Sequence, residues 1–373
     1  MTMNNDQGSQ PMYLRIYDSI LADISSGKLS PGDRVPSEKE LSSRFSVSRI
    51  TSKHALELLA GNKIIERFPG KGSFVARQEI AAKRTDIGLS GKNIGLVLPD
   101  FSETFGLGLL FGIEDRCREL GYSLILCRTL DRPELEEKAI EHLRQMNVDG
   151  IIVLPVHGEN YNPSVLRLVL EHMPMSFVDR RLRGLAASFV GTNNIEAAKI
   201  GVSHLIDLGR QRIAFVSSPI RDTSAIEERR EGFVEALAEH GLPLDTDLCM
   251  TYMDSFRYGI ISCERAEANL SQMREHLALH PDIDAVFSVE YEGALLARET
   301  ARTMGLRVPE DIAIVCFDCP TNCYLPAPFT HLKQREYEIG QKALDIVHAQ
   351  ISRDGQENTK VHIPADLIRG EST

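Results

Sequence analysis

With 373 residues, 42 % hydrophobic and 25 % charged, the chain reads as an ordinary globular protein of two or three units, with no run of about 18 apolar residues to span a bilayer. Its net charge of −11 argues against a polyanionic partner, yet residues 1–84 carry 13 Lys/Arg against 9 Asp/Glu while the remainder carries 29 against 44. Such a basic end can sit on phosphate while the acidic body keeps clear of it. Seven scattered cysteines, an odd number, suit a reducing compartment better than a disulfide framework. The polar start, with Asn4, Asn5, Asp6 and Gln7, has neither the basic nor the apolar stretch of a signal peptide, so a cytoplasmic protein is expected.

Residues 12–26 place Tyr13, Ile16, Tyr17, Ile20, Leu21 and Ile24 on one face, the period of an amphipathic helix that Gly27 ends. Pro31-Gly32 marks a turn. Ser37, with Glu40 three residues on, has the form of a capping box and opens a short helix over 38–45. A second helix is expected over 47–62, capped by Ser48, with Ala55, Leu56 and Leu59 as its buried stripe. So short a gap between two helices is helix-turn-helix geometry. Two apolar runs, 64–68 and 73–75, flank Pro69-Gly70-Lys71-Gly72 and predict a hairpin. The whole is an α+β winged helix-turn-helix. Ser48, Arg49 and Thr51 lead the second helix, where a recognition helix meets base edges. Arg49 is the expected reader of a guanine edge in the major groove. Arg34, Lys39, Ser48, Thr51 and the wing residues Gly70 and Lys71 are expected mainly to position the head on phosphates.

The ordered set Leu29-x-Pro31-Gly32-Asp33-Arg34-x-Pro36-Ser37-Glu38, then Val47-Ser48-Arg49-x-Thr51, then Ala55-Leu56, then Gly70-x-Gly72-x-Phe74-Val75 resembles the GntR-type winged helix of bacterial repressors. The resemblance covers roughly residues 10–76 and implies binding to a double-stranded DNA operator. It departs at Ser52, where that family usually has an apolar residue; looser helix packing is expected there, with the reading edge untouched.

Residues 77–91 lose the pattern and are assigned to a linker. Beyond them, strands are expected over 94–98, 122–127, 150–154, 175–178, 212–216, 285–289 and 312–317. Helices over 105–120, 133–146, 194–208, 225–240, 291–304 and 334–352 lie between and after them. Continuous apolar strands alternating with helices mean a doubly wound parallel sheet. About 280 residues is too much for one such sheet, so 92–370 should fold as two α/β lobes.

Ligands of such sheets bind beyond the C-terminal ends of the strands. Those ends carry Asp100-Phe101, His157, Asp179-Arg180, Glu290-Tyr291 and Asp318. Carboxylates accept from hydroxyl pairs, Arg donates twice, and an aromatic face covers the C–H side of a sugar ring, so the set suits a polyol. Ile94-Gly95-Leu96-Val97-Leu98-Pro99-Asp100, Val148-Asp149-Gly150, Arg229-Arg230-Glu231-Gly232-Phe233, Val308-Pro309-Glu310-Asp311-Ile312 and Phe317-Asp318 resemble the effector domain of LacI/GalR-type regulators. That domain is itself similar to periplasmic binding proteins of type I. By this resemblance Asp179, Arg229, Asp318 and Gln334 fall on ligand-binding positions, with Asp100 and Glu290 at neighbouring strand ends and Phe101, Phe105 and Phe256 as walls. The second lobe would take roughly 192–332, and 335–360 would return to the first. One departure concerns Glu290-Tyr291, where the family usually has Asn-Asp and the Asn bonds the sugar. Glu290 only accepts when ionised, which brings an amino sugar, or a ligand richer in donors, into range.

Cys316-x-x-Cys319-x-x-x-Cys323 has a spacing that metals and redox sensors use. Cys316 lies in an expected buried strand, and no second such cluster accompanies it, so no metal and no cofactor are expected. H-E-x-x-H, G-x-S-x-G, a P-loop and G-x-G-x-x-G after a strand are all missing, so an enzyme is not expected. The expectation is a homodimeric, ligand-responsive transcription factor. Its simplest form is a repressor of a carbohydrate-utilisation operon released by a sugar, with a pentose such as arabinose first. Activation, or a polar non-sugar effector, stays open; a sugar-binding transport module or an enzyme is the remaining alternative.

Overall fold

The computed structural model describes residues 11–26, 28–61, 64–68, 71–75, 91–157, 162–182, 184–218, 223–251, 263–320, 324–352 and 358–373. The chain divides into two compact units, Met1–Asp86 and Ile87–Thr373.

In the first unit, α1 (Met12–Ser25), β1 (Arg34–Val35), α2 (Glu38–Phe45), α3 (Arg49–Gly61), β2 (Ile65–Phe68) and β3 (Gly72–Val75) follow in order. The capping box at α2 is formed in both directions. The Glu40 amide donates to Ser37 Oγ at 3.3 Å, and the Ser37 amide donates to Glu40 Oε2 at 2.7 Å. Two orphan donors at the helix start are thus satisfied by two side chains. Ser46 closes α2 in a left-handed conformation, which turns the chain into α3. Ile16, Ile20, Leu41, Ala55, Leu56, Leu59, Ile65 and Val75 meet in one core. The hairpin gains a third strand that the sequence did not announce, in the order β1-β3-β2. Two residues, Arg34 and Val35, are too few to show a period of two.

The second unit holds two sheets. In the first lobe run β4 (Asn93–Leu98), α4 (Leu107–Leu120), β5 (Ser123–Arg128), α5 (Pro133–Gln145), β6 (Gly150–Val153), α6 (Pro163–Leu170), β7 (Met175–Val178) and β8 (Ser188–Thr192). The second lobe has α7 (Asn194–Asp207), β9 (Ile213–Val216), α8 (Ser224–Glu239), β10 (Cys249–Met250), α9 (Cys263–Leu279), β11 (Ala285–Ser288), α10 (Tyr291–Met304), β12 (Ala313–Phe317) and β13 (Thr330–Lys333). The chain then returns through α11 (Glu336–Ile351) and β14 (Lys360–Ile363), and β15 (Asp366–Ile368) follows. Among the described residues the strand orders are β14-β8-β7-β6-β4-β5 and β10-β9-β11-β12-β13-β15. Apolar clusters cover both faces of each sheet. That is why the strands read as continuous apolar runs rather than alternating ones.

One difference from expectation concerns the end of the chain. β14 stays in the first lobe, parallel to β8, whereas β15 lies in the second lobe, antiparallel to β13. The second sheet is therefore mixed, not purely parallel. Among the described residues the chain crosses between lobes at three adjacent places: after β8, after β13, and between β14 and β15. α11 packs on α4 through glycines: a Cβ at Gly112 would collide with the Tyr337 carbonyl, and one at Gly340 with the Leu109 carbonyl. Among the described residues, no helix is long and apolar enough to cross a membrane.

Candidate functional site

The first unit presents a groove lined by Glu38, Lys39, Arg49, Arg67, Phe68 and Ser73. The first turns of α2 and α3 therefore face the hairpin across one concave surface. Arg49 and Lys39 are exposed, as a base or phosphate contact requires. Ser48 caps α3: the Thr51 amide donates to Ser48 Oγ at 3.2 Å, and the two hydroxyls lie 2.8 Å apart. Arg34 lies against Gly72, whose φ of +111° suits a glycine at the tight end of the wing. Lys71 is exposed beside it, and Gly70 lies outside the described residues. Arg67, which the sequence reading left without a role, ion-pairs with Glu38 at 2.6 Å on the groove wall. Its signal was its place on an exposed strand position beside the wing. Tyr13 of α1 stacks on His54 of α3, ring centroids 4.5 Å apart, and so ties the first helix to the third.

In the second unit, strand-end residues from both lobes converge. Asp179 follows β7 and Asp318 follows β12, and both carry positive φ, +60° and +57°. Left-handed carboxylate residues at equivalent strand ends of two lobes are uncommon backbone for non-glycine residues. Each is held by a backbone bond, Asp179 to the Val190 carbonyl and Asp318 to the Leu332 carbonyl. Arg229 of α8 donates from Nε to Asn194 Oδ1 at 2.9 Å and from Nη1 to the Val289 carbonyl at 2.7 Å. Its guanidinium carbon lies 3.8 Å from the centre of the Phe317 ring. Three contacts thus fix this cation. Gln334 sits at the second crossing between lobes. It donates to Asp318 Oδ2 at 2.8 Å and accepts from Thr192 Oγ1 at 2.6 Å.

Electrostatics sets the protonation of this cluster. Burial pushes the Asp318 carboxyl up to about 8; Arg229 pulls it down, Glu336 pushes it up, Gln334 pulls it down and Asp179 pushes it up. Burial also raises Glu290, against the attraction of His157, Arg229 and Arg180. Glu290 Oε2 is a buried oxygen with no hydrogen-bond partner among the described residues. Burial, then the nearby Arg180 charge, lowers His157. The His157 Nδ1 lies 2.9 Å from Asp131 Oδ1 and 3.1 Å from Arg180 Nη1.

The structure brings Asp179, Arg229, Glu290, Asp318 and Gln334 into one electrostatic neighbourhood. Asp100, beyond β4, ion-pairs with Arg128 at 2.8 Å and accepts from the Phe101 amide. Phe101 and Phe105 pack at the edge of the first-lobe core, and Phe256 lies outside the described residues. Cys316 and Cys319 are buried, and Cys323 also lies outside the described residues. No cluster suited to a metal occurs among the described residues.

Several residues of the cleft carried no role in the sequence reading. Arg181 ion-pairs across the lobes with Glu228 at 2.9 Å, and its amide donates to Ser224 Oγ at 3.0 Å. Asn194 links Glu228 to Arg229. Glu336 accepts from the amides of Gly106, Gly108 and Leu109 at 2.7, 3.1 and 3.3 Å, so it occupies the positive end of α4. Burial raises Glu336 nonetheless.

The comparisons with known proteins match the head and a large part of the body separately. The family described as bacterial regulatory proteins, gntR family, matches residues 12–75. A periplasmic binding protein-like domain matches residues 202–373. The chain is 27 % identical over 351 residues to an arabinose metabolism transcriptional repressor of Geobacillus stearothermophilus, 92 % of each chain being covered. It is 30 % identical over 286 residues to the HTH-type transcriptional regulator PtxS of Pseudomonas aeruginosa, covering 75 % of this chain and 78 % of that one. A solved transcriptional regulator CelR–cellobiose complex superposes with a TM-score of 0.65 at 23 % identity, over 91 % of this chain and 100 % of that one.

Proposed function

Because the chain belongs to the family of bacterial transcriptional regulators that join a GntR-type winged-helix head to a periplasmic-binding-protein-like effector domain, we propose that it represses a carbohydrate-utilisation operon and is released from its operator by a sugar bound between its lobes. It is a DNA-binding regulator and not an enzyme. The observation that carries the effector reading is the convergence of Asp179 and Asp318, at strand ends of two lobes, with Arg229 of α8, whose guanidinium lies over Phe317, and with Gln334 bonded to Asp318 at the crossing between the lobes. Carboxylates accept from vicinal hydroxyls and a fixed guanidinium donates to ring or hydroxyl oxygens, so a polyol satisfies both. A pentose is the first choice, supported by the relative named for arabinose metabolism.

In this mechanism a homodimer presents two heads to a pseudo-palindromic operator. Arg49 reads a base edge, while Lys39, Arg34 and Lys71 hold phosphates. Sugar favours a closed arrangement of the lobes, and the coupling to operator affinity is on the order of 1–3 kcal/mol. The test is a thermal-shift panel of pentoses, hexoses, sugar phosphates and amino sugars, followed by operator release with each hit. One neutral sugar that stabilises the chain and weakens operator binding supports the reading. Stabilisation by none of them removes the sugar, leaving the DNA-binding assignment untouched. A second reading, an effector bearing an amino group, is favoured by the buried Glu290 oxygen that has no hydrogen-bond partner among the described residues. A hit confined to amino sugars, and lost in Glu290→Gln, would select it.

A further inference from the structure

We propose that Ile50 reads the 5-methyl group of a thymine in the major groove, next to the base met by Arg49. The inference rests on the head's assignment as a DNA-binding domain. Among the described residues of the head, two large apolar side chains are exposed: Ile50 at 79 % and Phe68 at 46 %. Phe68 packs edge-on against Phe74, ring centroids 5.8 Å apart. Ile50 is not part of the head's core. The buried residues of α3 are Ser52, Ala55, Leu56 and Leu59. At about 100° per residue, Ile50 stands almost diametrically opposite their mean direction. It therefore crowns the face that α3 turns away from the core, in the helix's first turn, directly after Arg49.

An isoleucine gains nothing there in the free protein. It is a weaker helix former than the Ala, Lys or Glu that an exposed helix position usually favours, and its apolar surface stays in water. Inside a major groove the situation changes. The thymine methyl is the one apolar group that the base edges present there, and a branched aliphatic side chain beside it buries both. Arg49 satisfies the acceptors of a guanine, so the pair specifies a dinucleotide by two different chemistries: charge-assisted hydrogen bonds and apolar contact.

The experiment uses the full chain. Duplexes that it binds are selected from random-sequence DNA, and each thymine of the preferred site is then replaced in turn by deoxyuridine, which removes only the methyl. The expected result is one sensitive position per half-site, where binding falls about four-fold, the worth of one methyl taken out of water. Ile50→Ala should lose a similar factor on the thymine duplex and become indifferent to deoxyuridine at that position. Ile50→Val should keep most of the discrimination. A site indifferent to deoxyuridine throughout overturns the proposal, as does a sensitivity that Ile50→Ala leaves unchanged. A chain that selects no duplex overturns the proposal and the DNA-binding reading together.

Discussion

The carboxyl of Asp318 couples the folding of the body to pH. Burial holds its carboxyl up to about 8 in the folded body, whereas an unfolded aspartate ionises near pH 4. Between those values the unfolded chain has lost this proton and the folded chain has kept it. The group therefore makes folding less favourable as pH rises from about 4 to about 8, and contributes no further slope above that. Hydroxyls that donate to the carboxylate favour its charged form. Effector binding at pH 7 is thus expected to release a proton. Calorimetric heats in two buffers of different ionisation enthalpy should differ for the wild type and agree for Asp318→Asn; equal heats in the wild type would remove this account. In the head, Ser52 is buried, and its hydroxyl has no hydrogen-bond partner among the described residues. Ser52→Ala should raise the stability of the head by about 1 kcal/mol, because it removes a buried polar atom that no described residue satisfies. A lower melting temperature in Ser52→Ala would mean that the hydroxyl has a partner after all. Asp179 and Asp318 stand out in the sequence because each directly follows a short apolar strand, where ligands of such sheets bind, whereas Arg229, within α8, is reached only through the family resemblance. Glu336 was not legible. It bonds amides 227 to 230 positions away, and no local period signals a contact of that span.

Elements were legible wherever a local rule and tertiary burial agreed. α2 begins where Ser37 and Glu40 announce it, and both bonds of the capping box are present. Ser37→Ala should cost the head about 1 kcal/mol, and Ser37→Asp should restore most of it; circular-dichroism melts of the full chain would read both. β8 and β13 were not legible. Their sequences, Ser188–Thr192 and Thr330–Lys333, mix hydroxyl, imidazole and amine groups into buried strands, so neither continuous apolarity nor alternation shows. α6 and α9 were missed as well, the first for its eight residues and the second for its polar face. The packing of α11 on α4 depends on Gly112 and Gly340. Gly112→Ala is expected to destabilise the body by at least about 1–3 kcal/mol, since the added methyl meets backbone that has no rotamer to yield. Unchanged unfolding by urea would show that the helices can separate without loss.

At the scale of the molecule, a basic head and an acidic body form separate compact units. Effector at about 100 times its dissociation constant should stabilise the body by roughly 2.7 kcal/mol. Hydrogen exchange of the full chain should show the gain in the body's sheets and none in α1 to α3; equal protection of both units would argue against a ligand held by the body alone.

The three crossings between the lobes among the described residues have a mechanical meaning. Two bodies joined by one tether can slide, twist and tumble; joined by a row of tethers, they keep little more than rotation about that row. Here the row is welded sideways. Thr192 pairs with Ile363, Lys333 pairs with Asp366, and Gln334 bridges Thr192 to Asp318. A molecule lodged against Asp318, as proposed above, would press beside the axle, not on a distant rim. The body is then expected to turn as a lever about its own pivot.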